Sequence, residues 1–171
     1  KVNTRNPRST VATSTELYDY LKLLWARIGK TISPISGQEV KKHTTQDVLD
    51  YIMDLENETV YISFSPRSND AECILDEMLQ KGYIRILHNK KLIKIEDAIS
   101  DEGLDDDFLV VVDRLKTKKP DEEYINRLTD SIETAFWEGM GEVFIVTSKT
   151  TKEFNNRFEL DGILFEEPSV N

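Results

Sequence analysis

The spacing of hydrophobic positions changes period several times along the chain, and each change marks a predicted element. Leu17, Tyr20, Leu21, Leu24 and Ile28 recur at three- and four-residue intervals, the signature of one face of an amphipathic helix. Thr13 and Glu16 stand in a capping-box relation just ahead, so this helix is expected to begin near Ser14, and Gly29 to end it in a left-handed conformation. Pro34 and Gly37 then mark a turn between short extended segments. Thr45 is expected to cap a second helix whose inner face is Val48, Leu49, Ile52 and Leu55, with Asn57 closing it.

From Thr59 the period becomes two, with Val60, Ile62 and Phe64 alternating against Tyr61 and Ser63. Asp70 to Gln80 returns to helical spacing through Ile74, Leu75, Met78 and Leu79, and Gly82 stops it. Tyr83 to Leu87 alternates again, Asn89-Lys90 is turn-like, and Leu92 to Ile95 is expected to be the returning arm of a hairpin. Phe108 to Leu115, reading FLVVVDRL, suggests a strand covered on both faces. Pro120 and Asp121 open the last long helix, with Tyr124, Leu128, Ile132, Ala135 and Phe136 as its stripe. Val143 to Val146 is the strand that follows it, and Phe154, Phe158 and Phe165 sit in short extended pieces.

These elements define an α+β protein: a mixed sheet with helices, preceded by two helices, with a split βαβ arrangement as one available topology. The 171 residues, 39% hydrophobic and 32% charged, are enough for one domain with an appended fragment. No apolar run is long enough to cross a bilayer, and the single Cys73 leaves no intramolecular disulfide, which fits a reducing cytoplasm. The net charge of −10 is uneven. Residues 1–42 hold eight Lys and Arg against three acids, a balance of +5, and the remainder stands at −15. Only the front end suits phosphate.

Motifs for nucleotide binding, zinc proteolysis and serine hydrolysis are absent from the sequence. His43, beside Lys41 and Lys42, and His88 lie in polar stretches and read as surface histidines. Cys73 reads as a half-buried helix residue, and Asp105 to Asp107 as a solvated loop. No residue is offered as catalytic or as a metal ligand. Arg85, between Ile84 and Ile86, and Arg114, at the end of a strand, stand apart. If the isoleucines face a core, Arg85 faces outward from a rigid sheet, where a planar fork can receive a partner's carboxylates. A local salt bridge, such as Arg114 with a neighbouring acid, is the equal alternative.

The run NPRSTVATSTELYDYLKLLWARIGK at Asn6 to Lys30 resembles a segment of the UvrA family. KGYIRI at Lys81 to Ile86, VVVDRL at Val110 to Leu115 and RLTDSIETAF at Arg127 to Phe136 follow in that family's order. The resemblance implies a fragment of a longer chain. Residues 44–149 would form its UvrB-binding domain, 1–43 a flanking piece of its first ATP-binding domain, and 150–171 a return segment toward that domain. It also implies docking of UvrB in nucleotide excision repair through Arg85 and Arg114, with Ile95 as an apolar contact. ATP, Mg, DNA contact and a homodimer belong to the parent protein, with no ATP hydrolysis expected of this piece. Arg5, Arg8, Lys22 and Arg27 are candidates for lying near DNA. Where the family often carries two cysteine pairs for zinc, this chain has Ser33 and Ser36, then Leu160 and Ile163, so no zinc is expected. Ala12 replaces a usual glycine.

Overall fold

In the computed structural model the described residues are 17–66, 71–100 and 107–166. They fall into two compact units, one of Lys42–Arg157 and one of Lys1–Lys41 with Phe158–Asn171. The capping box expected at Thr13 and Glu16 lies outside the described residues.

The larger unit opens with helix α2 (Thr45–Met53), which is preceded in the chain by α1 (Leu17–Ile28) of the other unit. Thr44, one residue ahead of the position expected from sequence, is the N-cap of α2. Its hydroxyl accepts from the Asp47 N–H, and its own N–H donates to the Asp47 carboxylate at 2.7 Å. Strand β1 (Thr59–Phe64), α3 (Ala71–Gln80), β2 (Arg85–His88) and β3 (Lys91–Lys94) follow. Asn89 and Lys90 both take positive φ, 49° and 61°, which is what a two-residue hairpin turn demands. Ile95 does not extend this hairpin. It starts a short helix, α4 (Ile95–Ile99), too brief for its sequence to show a period. The remaining elements are β4 (Phe108–Lys116), α5 (Glu122–Glu138), β5 (Glu142–Val146) and β6 (Thr151–Asn155). Asp121 caps α5 by accepting from the Tyr124 N–H at 2.7 Å, and the buried stripe of α5 is the one its spacing predicts.

The strands form one sheet in the order β3-β2-β4-β1-β5-β6, with every pairing antiparallel. Two antiparallel steps make β1 and β2 run the same way with β4 between them. The same holds for β4 and β5 around β1. The units β1–α3–β2 and β4–α5–β5 are therefore two interlocked split βαβ motifs.

The sheet has one helix-covered face. Val60 and Ile62 of β1, Leu115 of β4 and Val143 and Ile145 of β5 pack with α2 and α5. Phe64, Ile86, Phe108 and Val110 pack with α3 and α4. Each fully buried side chain of this size is worth about 1.5–3 kcal/mol of transfer free energy. The other face carries Leu87, Val111 and Val146 with half-buried Tyr61, Leu92, Leu109 and Phe144. No helix among the described residues contributes to that second cluster. Phe108 to Leu115 is thus buried on one face and only partly covered on the other, unlike the two-sided burial its composition suggests.

The ends of this unit are pinned together. The His43 N–H donates to the Asn155 carbonyl at 2.8 Å, and His43 Nδ1 lies 3.1 Å from the Asn155 N–H while its ring meets Phe154 edge-on. His43 is half-buried and structural rather than a surface residue.

In the smaller unit, α1 buries none of its residues; Tyr20 is 68% and Trp25 64% exposed. Gly29 ends α1 without a positive φ. A Cβ there would lie 2.3 Å from the Trp25 carbonyl oxygen, so close approach and not handedness requires glycine. Strands β7 (Glu159–Leu160) and β8 (Ile163–Leu164) make a small hairpin. At its turn, Asp161 Oδ2 accepts from the hydroxyls of Ser33 and Ser36, the latter at 2.6 Å, and from the Ser36 N–H at 3.3 Å. Hydrogen bonds from Ser33 and then Ser36 hold the Asp161 carboxyl below its ordinary range. Two hydroxyls and one carboxylate are not the donor set of a structural zinc site.

Candidate functional site

Side chains alternate along a strand, so β1, β2 and β4 decide which residues reach the open face of the sheet. Tyr61 and Ser63 point there from β1, and Arg85 and Leu87 from β2. Strand β4 pairs with β1 from Lys116↔Thr59 to Val110↔Phe64, but its register slips between Ile62 and Ser63. Ser63 pairs with Val111 and Ile62 with Asp113, leaving Val112 opposite no residue. This β-bulge puts Val112 and Asp113 on the helix-covered face in succession. Without it, Arg114 would turn toward α5. With it, Arg114 shares the open face with its cross-strand partner Tyr61, its guanidinium carbon 5.7 Å from the ring centre.

Asp113 is fastened on the covered side. Its carboxylate takes a two-pronged hydrogen bond from Arg127 of α5, Nε to Oδ2 at 2.9 Å and Nη2 to Oδ1 at 2.8 Å. The Ser131 hydroxyl donates at 3.1 Å and the Arg114 N–H at 2.7 Å. Burial pushes the Asp113 carboxyl up, yet the bonds from Arg127 and the Arg114 N–H together outweigh it and hold the group below its ordinary range. The neighbouring acid therefore pairs with Arg127 and not with Arg114.

Neither Arg85 nor Arg114 makes a side-chain hydrogen bond or ion pair among the described residues, and both are exposed. They line one groove of about 330 Å³ with Tyr83, Ile84, Val111, Val112, Asp113 and Arg127. The groove exists because β2 pairs with β4 only through Phe108 to Val110, so β4 runs on past the start of β2. Lys94 stands opposite Arg85 in the hairpin, two cations facing each other on the open side. Like charges in that relation are unfavourable until something negative comes between them.

Ile95 requires a correction. Its side chain is fully buried, at 0% exposure, among Phe64, Ile74, Ile86 and Phe108, and it cannot meet a partner without leaving the core. The apolar side chain offered beside Arg85 is Ile84, 63% exposed. Of the cations near the front of the chain, Lys22 and Arg27 are exposed on α1 in the other unit, with Lys22 over the Tyr18 ring at 5.1 Å. Arg5 and Arg8 lie outside the described residues.

Three contributors escaped the sequence reading. Lys94 was findable, because the two-residue Asn89-Lys90 turn fixes the hairpin register and sets it across from Arg85. Tyr61 and Arg127 had no comparable signal, since each depends on the slipped register of β4. Cys73 is exposed on α3. The described residues contain no cluster of His, Cys, Asp and Glu able to hold a metal and no helix long and apolar enough to cross a membrane.

Fold and groove together define an α+β domain with one helix-covered and one open, cation-bearing sheet face. Residues 43–149 match the family model described as the UvrA interaction domain. The chain belongs to the UvrA interaction domain family. It is 39% identical over 140 residues to UvrABC system protein A of Staphylococcus epidermidis, an alignment covering 79% of this chain and 14% of the relative. It is 37% identical over 150 residues to UvrABC system protein A of Staphylococcus aureus, covering 85% of this chain and 16% of that one. The chain thus spans only about a seventh of the length of these curated relatives.

Proposed function

We propose that this chain is the UvrB-docking module of a UvrA-type protein acting in nucleotide excision repair. Residues 44–149 are taken as the module, with 1–43 and 150–171 as flanking pieces of an ATP-binding domain. The observation that carries this reading is the pair Arg85 and Arg114, exposed on one open sheet face with no side-chain ion pair among the described residues. A guanidinium fork held this way is suited to a carboxylate arriving from outside. ATP hydrolysis, damaged DNA, self-association and a cytoplasmic setting are assigned to the longer protein.

Calorimetric titration of UvrB with the chain tests the reading. Reversing both charges, Arg85→Glu with Arg114→Glu, should cost about 2–5 kcal/mol of binding. Unchanged affinity would reject the two arginines as contacts. A second reading, DNA contact through residues 1–42, is favoured by the +5 balance there and by exposed Lys22 and Arg27 on α1. It calls for weak binding that falls steeply with salt, measurable by fluorescence anisotropy.

A further inference from the structure

We infer that Tyr61 is a positioning residue for docking: its ring holds the Arg114 guanidinium in the pose that a partner's carboxylate meets. The inference rests on the docking reading above and deepens it by saying how one of the two arginines is made ready. A long, charged side chain on an open sheet face samples many rotamers, and fixing one on binding costs free energy. Arg114 is spared part of that cost by three linked features.

The bulge at Val112 turns Arg114 to the open face. Next, Asp113 is locked to Arg127 and Ser131 on the covered face and accepts the Arg114 N–H, which fixes the backbone from which the side chain leaves. Finally, Tyr61, directly across the ladder, lies under the guanidinium at 5.7 Å, within the range at which a cation is held by an aromatic face. The arrangement leaves the guanidinium N–H groups for a carboxylate, because no side-chain hydrogen bond among the described residues engages them. Arg85 has no aromatic partner of this kind among the described residues, so the two arginines differ: one is held, the other is free to adapt.

The test is a double-mutant cycle on UvrB binding, measured by calorimetry on the full chain. Tyr61→Leu should weaken binding about two- to fivefold, and Tyr61→Phe, which keeps the ring, should restore wild-type affinity. In an Arg114→Ala background Tyr61→Leu should add nothing, whereas in an Arg85→Ala background its full effect should remain. In the unbound chain, NMR should show the Arg114 side-chain protons shifted by the ring current in wild type and Tyr61→Phe, and unshifted in Tyr61→Leu. If Tyr61→Leu does not fold, Tyr61→Val, a strong strand former, takes its place. Equal losses from Tyr61→Leu with and without Arg114, or no loss in either, overturn the inference while leaving the docking reading intact. Should Arg114→Ala itself leave binding unchanged, Arg114 is not a contact and both fall for that residue.

Discussion

On the helix-covered face of the sheet Val60, Ile62, Val110, Val143 and Ile145 are fully buried, whereas on the opposite face Tyr61, Leu92, Leu109 and Phe144 stay half exposed. The first face is roofed by four helices and behaves as the core of an ordinary domain. The second is apolar enough to repel water in its middle but is edged by Arg85, Lys94 and Arg114. The two faces share strands, so the packing that buries the first also supports the second. On the docking reading proposed above, stability and recognition fall to alternate residues of the same strands, and substitutions on the two sides should separate them.

The largest stability effect is expected from the covered face. Ile132→Ala empties a fully buried position of α5 and should lower unfolding free energy by about 2–5 kcal/mol in urea titrations. The folded fraction should bind UvrB as before; a comparable drop in its affinity would mean the faces are not separable.

Asp113→Ala comes next, acting at the point where the two faces communicate. It removes the acceptor for Arg127 and Ser131. Because the Arg127 end is 59% exposed, the expected cost is about 1–2 kcal/mol. The pH dependence has a definite sign. With its folded pKa held below the ordinary value of 3.8, Asp113 adds stability above that value and loses it as pH falls through the lower, folded one. Asp113→Asn should flatten that part of the acid unfolding curve. An unchanged curve would remove the Arg127 bond from the account.

On the open face, Phe144→Ser exposes nothing that was fully dry and should cost about 1 kcal/mol, clearly less than Ile132→Ala. Smallest of all, Arg85→Glu with Arg114→Glu should leave thermal stability within about 0.5 kcal/mol of wild type while abolishing most binding. A large stability loss there would show that the arginines serve the fold.

How far the sequence revealed these two faces depends on the kind of signal each leaves. The stripe of α5, the cap at Asp121 and the alternation of β1 are local patterns, and they are found where spacing puts them. The open face was harder to see. Phe108 to Val112 reads as continuous apolar residue whether one side or both are covered, and only the strand order settles it. The bulge has no glycine or other marker, so the facing of Asp113 and Arg114 could not be read from alternation. Arg127 reaches Asp113 from α5, a contact created by helix docking. Ile95 was misplaced because a five-residue helix follows directly on the hairpin and turns its side chain into the core. The arginines themselves were visible, as charged residues set in otherwise apolar strand sequence.

The hydrogen bonds between His43 and Asn155 carry a different kind of consequence. Where the chain enters the larger unit and where it leaves are neighbours, so the loop that the unit makes in a host polypeptide closes at a single point. A host fold accepting it there would lose little chain entropy and need not bend its own backbone. The unit is portable in that sense, a cassette that a gene could gain, exchange or lose at one position. Linking residues 43 and 155 directly and opening the chain elsewhere should give a circularly permuted form that still folds.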